Sequence, residues 1–349
     1  MREEYTISQI AEMFNITTNK IRFYETKGLL APIRESDNQY RKFSEDDIVR
    51  LQSILLYRSI GLSIDSIKNI LKNDKKENYL THFNNQWKLV NDEIHRLNVI
   101  RKSLEQVIDK IYQETDKYTV KDDLLEIINE SNKLNEIKNE WKDKWNFNSW
   151  AKSYDDDVKK DTGELKIYKN YDLILQSVYD LVEALDRRNS NILEIGVGTG
   201  NLASKFLKNN YNIIGIDQSR EMLSVAKEKY PSLKVRLGEF LKIPYDNNSF
   251  DIIISTYAFH HLNEEEKCIA IEEIIRVLKD DGVIIIGDLM FESKEEEQEM
   301  LKNLSQKQIY AIKDEYYSYI DLLRDEFNKY NKNLKYNRID KFNYIIRIE

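Results

Sequence analysis

The chain has 349 residues, 41% of them hydrophobic and 33% charged, a formal charge of −8 and one cysteine, Cys268. That length suits two or more domains, the acidic balance excludes a protein that coats nucleic acid along its whole length, and a lone thiol excludes an intrachain disulfide or a multi-thiolate metal site. The N-terminus has no apolar run of signal-peptide length and no stretch approaches the ~18 apolar residues of a membrane helix, so a soluble cytoplasmic protein without membrane contact is expected.

Charge is uneven. Residues 1–73 carry 11 basic and 10 acidic side chains, and residues 18–42 alone carry six basic and three acidic ones. A basic stripe on an acidic protein is where phosphate contacts are sought. Residues 4–14 predict a short amphipathic helix with Ile7, Ile10, Ala11 and Phe14 on one face, capped by Thr6 or Ser8. After a turn at 15–17, residues 18–27 resume helical spacing through Ile21 and Tyr24, and Gly28 stops the helix. Two short helices joined by a tight turn make a helix-turn-helix. Leu29–Phe43 predicts a two-stranded wing with a polar turn at Glu35–Gln39. Ser44 and Asp47 form a capping box for a helix at 45–59, and another follows at 63–72 beyond Gly61.

From Leu80 the pattern changes. Leu80, Phe83, Trp87, Val90, Ile94, Leu97, Leu104, Ile108 and Ile111 step by threes and fours, with Arg101 interrupting once. This is a coiled-coil seam, and a helix that cannot bury its stripe alone predicts a homodimer; packing on another helix of the same chain is the alternative. Residues 116–140 read as a helical linker, and Trp141, Trp145 and Trp150 open the next domain.

From Asn191 strands at 191–195, 212–216, 233–236, 251–255 and 283–288 alternate with helices at 200–209, 218–229 and 264–278. This βαβ pattern implies a doubly wound α/β sheet. A helical insertion at 292–330 precedes a closing strand pair at Leu334–Asn337 and Asn343–Ile348. The expected architecture is multidomain: an all-α winged helix-turn-helix at 1–75, a coiled-coil dimerisation helix at 76–115, the linker at 116–140 and a Rossmann-like α/β domain at 141–349.

Recognition by a helix-turn-helix needs side chains that reach base edges and groups that hold phosphates. Thr17, Thr18, Lys20, Arg22 and Tyr24 lie on the second helix; Tyr40, Arg41 and Lys42 lie on the wing. The run IRFYETKGLLAPIRESDNQYRKFSEDDIVRL resembles the MerR family of transcription regulators, over about residues 4–113. The resemblance implies that Arg22 enters the major groove, that Tyr24, Tyr40 and Arg41 hold backbone phosphates, and that a dimer sits on double-stranded promoter DNA and acts on RNA polymerase indirectly, through DNA deformation. Cysteines that serve metal-sensing members are absent. Taken singly, Arg22 and Arg41 could be ordinary solvated charges.

In NILEIGVGTGN, Glu194, Gly196, Gly198 and Gly200 sit at a strand-to-turn junction where glycines allow close backbone approach and the following helix offers free N–H groups. Asp217 ends the next strand, where a carboxylate can accept from ribose hydroxyls, and Glu239 follows the third strand, within reach of an adenine amine. The spacing alone would also fit a dinucleotide dehydrogenase, but the glycines run G-x-G-x-G and no second nucleotide-binding half follows. ILEIGVGTGN, GIDQS, GEFLKIPYDNNSFDIIIST and VLKDDGVIII resemble the successive motifs of class I S-adenosylmethionine-dependent methyltransferases. NSWAKSYDDDV, STYAFHHLNEEEK and DEYYSYIDLLRDEF are similar to a group of small methyltransferases of Gram-positive bacteria, over about 140–349.

This resemblance implies a seven-stranded sheet, S-adenosyl-L-methionine as cofactor held by Gly196, Gly198, Asp217 and Glu239, Tyr154 closing over it, and Glu194 orienting its amino group. His261 and Tyr257 are the candidate catalytic groups, with a packing role for His261 as the alternative; His260 is the weaker base candidate. No metal site is expected, since His260 and His261 are adjacent and no cysteine accompanies them. The Asn-Pro-Pro-Tyr run of adenine or glutamine N-methylation is absent, as is a Pro-Cys setting for Cys268. A small-molecule methyl acceptor is therefore expected, chosen by the insertion with Tyr310, Tyr316, Tyr317 and Tyr319, residues whose alternative role is helix packing. A domain that binds S-adenosylmethionine or its product as a sensor without turnover, and a DNA-modifying enzyme, are the other readings.

Overall fold

The computed structural model describes residues 4–34, 40–72, 79–113 and 143–349, with isolated positions between 125 and 137. The turn expected at Glu35–Gln39, Trp141 and most of the linker at 116–140 lie outside the described residues. The chain divides into two compact units, Met1–Ile94 and His95–Glu349. Among the described residues no helix is long and apolar enough to cross a membrane.

In the first unit, α1 (Ile7–Met13) and α2 (Thr18–Thr26) are separated by a turn. Thr6 is the cap of α1, in a reciprocal box with Gln9. Gly28 follows α2 at φ +71°, and Leu29 N–H donates back to the Tyr24 carbonyl at 2.9 Å, closing the helix with a left-handed residue that favours glycine. Short strands β1 (Ile33–Arg34) and β2 (Arg41–Lys42) pair antiparallel, Ile33 with Lys42 and Arg34 with Arg41. The predicted box of Ser44 and Asp47 starts α3 (Glu45–Ser59), and α4 (Ile64–Lys72) follows. Ile10, Ile21, Leu29, Phe43, Leu51, Ile54 and Ile67 bury their side chains in one core.

Helix α5 runs 35 residues, Tyr79–Gln113. Leu80, Phe83, Ile94, Leu97, Leu104 and Ile108 are all at least 45% exposed in the single chain. His82 and Gln86, on another face of this helix, are buried in hydrogen bonds with Ser53 of α3.

The second unit opens with α6 (Phe147–Trp150), α7 (Tyr154–Lys160) and α8 (Tyr171–Glu183). There follow β3 (Asn191–Ile195), α9 (Ala203–Lys208), β4 (Asn212–Asp217), α10 (Arg220–Lys229), β5 (Lys234–Leu237), β6 (Phe250–Thr256), α11 (Glu264–Val277) and β7 (Leu278–Phe291). The insertion holds α12 (Lys294–Leu301), α13 (Gln306–Lys313), β8 (Ser318–Tyr319) and α14 (Ile320–Asn328), and β9 (Leu334–Arg338) and β10 (Asn343–Ile348) close the unit. The strand order is β5-β4-β3-β6-β7-β10-β9, with β8 added beside β7. In this sheet β10 runs antiparallel to both its neighbours, β7 and β9, and the other pairings are parallel. Both faces of the sheet are covered by apolar cores, which is why its central strands read as near-continuous hydrophobic runs.

The helical insertion expected at 292–330 is built of three short helices with a short strand before the last. Ser293 and Ser305 each cap a new helix, and the two residues of β8 pair with Met290 and Phe291. Likewise β7 begins at Leu278, where it pairs with Phe250 before the register shifts.

Candidate functional site

Strand order reverses direction at β3, with β4 on one side and β6 on the other. In such sheets the ligand crevice lies beyond the carboxyl ends of these strands. A cleft is found there. Its walls include Gly196, Gly198, Asp217, Glu239, Tyr154, Tyr257 and His261. These seven residues come from sequence positions as far apart as 154 and 261, and the fold brings them together.

Gly196 sits at φ +73°, and a Cβ there would lie 2.5 Å from the Ala258 methyl. Gly198 has φ +51° and open space where its Cβ would be, leaving bare backbone facing the cleft. Asp217 accepts from Gly198 N–H at 2.9 Å and from Ser219 N–H at 2.8 Å. Burial pushes its carboxyl up to about 6, with those two N–H groups opposing. Beside it, Gln218 Oε1 is buried on the cleft wall with no hydrogen-bond partner.

Two expected cofactor residues do not line the cleft. Gly200 faces Tyr230 and Leu233, at 3.0 and 3.3 Å from a built Cβ, so packing rather than ligand approach requires a small residue there. Glu194 is 1% exposed within β3; burial first, then the Asp217 charge, raises its carboxyl well above the ordinary range. Its Oε2 has no hydrogen-bond partner. The glycine turn also leads into a shorter helix than expected, beginning at Ala203.

Tyr257 follows β6 in a left-handed conformation, φ +50°, with its N–H donating to Gly287 O at 3.0 Å. Its ring lies between those of Tyr168 and Tyr171, each 5.3 Å away by centroid. Burial and the Asp288 charge raise the phenol far above its ordinary value, so Tyr257 holds its proton.

His261 keeps 12% of its side-chain surface. Trp145 and Phe147 pack on the ring at 4.3 and 5.0 Å, and Nδ1 lies 3.1 Å from Glu315 Oε2. Burial and the neighbouring His260 lower its pKa to about 4. His260 is buried away from the cleft, with Nδ1 2.5 Å from Asp288 Oδ1. Burial alone would lower its pKa, but the Asp288 charge and hydrogen bond raise it. His260, His261 and Glu315 place their ligand atoms within 4.8 Å of one another. The Nδ1 atom of each imidazole is engaged by a carboxylate.

Of the insertion tyrosines, none lines the cleft. Tyr317 stacks on Phe291, Tyr319 hydrogen-bonds Glu297, and Tyr310 is 73% exposed. Tyr316 meets Lys144 through its hydroxyl and Trp145 edge-on. Sequence reasoning missed Phe147, Gln218, Phe240, Asp288 and Glu315. Asp288 did carry a signal: a lone carboxylate inside IIIGDLM must have a partner if that run is a buried strand.

In the first unit, Thr17, Lys20 and Arg22 are exposed and Thr18 is half-buried. Thr17 Oγ1 accepts from Lys20 N–H and caps α2. Tyr40 is 69% exposed. Arg41 and Arg34 both donate to Glu25, at 2.7 and 2.8 Å, joining the β1–β2 pair to α2. Lys42 is half-buried and 3.9 Å from Glu4. Tyr24 departs from the expected phosphate role: it is 2% exposed, a core side chain that shares a helix face with Ile21.

Residues 193–286 match the family described as a methyltransferase domain, and residues 5–74 match the MerR HTH family of regulatory proteins. An uncharacterized methyltransferase of Oceanobacillus iheyensis is 38% identical over 206 residues, which are 57% of this chain and 93% of that protein. One from Alkaliphilus oremlandii is 37% identical over 205 residues, 57% of this chain and 94% of that protein. Among solved structures, magnesium protoporphyrin IX methyltransferase of Synechocystis with bound SAH has a TM-score of 0.46 at 14% identity, covering 59% of this chain and 99% of that one. With its helix-turn-helix domain of the MerR type at the N-terminus, the chain belongs, through its C-terminal part, to the methyltransferase family.

Proposed function

We propose that the chain is a homodimeric, promoter-binding transcription regulator whose C-terminal domain binds S-adenosyl-L-methionine and methylates a small molecule. The observation that carries this reading is the convergence of the glycine turn, Asp217, Gln218 and Glu239 on one wall of a cleft that His261 shares.

The residues fit the cofactor on three counts. The open side of Gly198 admits a ligand against bare backbone, the orphaned Gln218 Oε1 awaits a donor, and Asp217 and Glu239 are acceptors for hydroxyl and amine donors. When bound, S-adenosylmethionine supplies an electrophilic methyl group. Asp217 and Glu239 hold its ribose and base, and Phe147, Met222 and Leu241 contribute apolar surface. Phe147 and Tyr154, on α6 and α7, exclude water from the reacting end. His261 accepts a proton from the methyl acceptor.

Promoter contact is assigned to Lys20, Arg22, Tyr40, Arg41 and Lys42, and the dimer to the exposed seam of α5. Ligand binding would change promoter affinity only through unequal affinity for two DNA-binding states. The test measures promoter affinity with and without S-adenosylmethionine and its demethylated product, alongside calorimetric binding of each. Absence of calorimetric binding overturns the methyltransferase reading; binding that leaves promoter affinity unchanged overturns the coupling.

A further inference from the structure

We propose that Glu315 positions His261 as a general base, and that the methyl acceptor therefore presents a hydroxyl or thiol. The inference rests on the methyltransferase reading above and names its substrate class.

Glu315 lies on the insertion, between α13 and β8, 54 residues beyond His261. Its turn is fixed to the histidine turn at two points. Tyr316 N–H donates to the His260 carbonyl at 2.9 Å, and the buried Lys267 ammonium donates to the carbonyls of Leu262 and Tyr316. Glu315 thus meets His261 Nδ1 from one side while Trp145 and Phe147 pack on the ring.

With the Glu315 carboxyl oxygen as acceptor, Nδ1 carries the proton and Nε2 keeps its lone pair, the basic atom of a ring that lines the cleft. The charged groups that act on this ring are Glu315, His260 beside it and Asp288 on β7; Lys267 and Lys144 are tied to the carbonyl and hydroxyl of Tyr316, next to Glu315. Burial keeps the imidazole neutral at ordinary pH. A carboxylate behind a base stabilises the imidazolium that forms as the proton arrives.

An amine acceptor, neutral before reaction, already offers a lone pair. A hydroxyl or thiol becomes a competent nucleophile as its proton leaves. In the balanced step the acceptor's O–H or S–H bond breaks and its proton passes to His261 Nε2. A new O–C or S–C bond forms to the methyl carbon, and the electron pair of the broken C–S bond stays on sulfur as a neutral thioether. The proton then leaves His261 for solvent.

The test uses the full chain in two arms. In ¹⁵N-histidine spectra, His261, identified by its loss in His261→Asn, is expected as the Nδ1–H tautomer, remaining neutral down to about pH 4. Glu315→Gln is expected to release that tautomer. In the second arm, formation of the demethylated product is followed with phenol, 2-mercaptoethanol or aniline, an amine that is neutral at ordinary pH, as acceptor. Phenol or the thiol is expected to react in preference to the amine. Glu315→Gln should lower kcat by about tenfold or more with cofactor affinity unchanged, and Glu315→Asp should restore part of it. An Nε2–H tautomer of His261 overturns the proposal whatever the acceptor arm gives. So does wild-type turnover by Glu315→Gln, preference for aniline, or loss of activity on treatment with EDTA, which would make the cluster a metal site. Failure of the wild-type chain to bind S-adenosylmethionine would instead sink the underlying reading, and calorimetry reports that separately.

Discussion

Asp288 grips His260 at both ends. Its Oδ1 lies 2.5 Å from the imidazole Nδ1, and its Oδ2 accepts the His260 N–H at 3.2 Å, together with those of Ala258 and Phe259 at 3.2 and 2.7 Å. One carboxylate from β7 therefore holds the whole turn that follows β6. Both side chains are at most 2% exposed, so an amide in place of the carboxylate removes a buried charge and turns one of its two acceptor oxygens into a donor facing other donors. Asp288→Asn is expected to cost about 3 kcal/mol, the usual scale for breaking a buried pair. Thermal unfolding should show a Tm lower by roughly 6–12 °C. The raised His260 value contributes stability below the free imidazole value of 6.5, lost as pH rises through the folded value. The lowered Asp288 value contributes above 3.8, lost as pH falls through its folded value. The deficit of the variant should thus be widest between these two limits.

Asp217 should confer pH dependence on cofactor binding. Its free carboxyl sits at about 6, whereas accepting ribose hydroxyls favours the ionised form. Affinity should be constant above that value and fall on acidification through it. Asp217→Ala should weaken binding by about 10- to 100-fold, the scale of one or two charged hydrogen bonds. Calorimetry across pH 5–8 checks both, and a flat profile would remove the ribose assignment.

Gly196→Ala combines a left-handed backbone with a methyl 2.5 Å from Ala258. A loss of about 2 kcal/mol is expected, with cofactor affinity falling as the turn shifts. Gly163→Ala, where a Cβ meets nothing within 4 Å, should be near neutral in the same chemical denaturation series.

Leu97 and Leu104 are 50% and 57% exposed, so Leu97→Glu with Leu104→Glu should leave the single-chain fold intact. Sedimentation equilibrium should show a monomer for the double variant and a dimer for the parent. A parent that sediments as a monomer refutes the seam as a dimer contact.

Arg22→Ala is expected to weaken promoter binding by about 1–3 kcal/mol and relax sequence preference, while Arg41→Ala weakens all sequences alike and lowers the salt slope by about one unit. Binding isotherms at several salt concentrations separate the two roles.

Legibility followed locality. The ends of β3 and α3 fell where the sequence placed them, because an apolar run bounded by glycine and a capping box at Ser44–Asp47 are complete within a few residues. The start of β7 did not, since LKDDG reads as a turn and becomes strand only by pairing with Phe250. Gly196, Asp217 and Glu239 were legible because each sits at a strand end. Glu315 was not, being one carboxylate in an acidic insertion until the fold lays it against His261. Tyr24 was misassigned by the family pattern although its spacing from Ile21 already put it on the core face.

The left-handed backbone of Tyr257 makes that position unusually selective. Most residues with a Cβ lose about 1 kcal/mol by standing there. Glycine would relieve the strain but leave a hole between Tyr168 and Tyr171. Asparagine would tolerate the angle and bring a polar group into an aromatic wall. A large ring alone offsets its own strain by filling that wall, so drift at residue 257 should run almost entirely among tyrosine, phenylalanine and tryptophan, and a library of all residues at this site should enrich those three for both folding and binding.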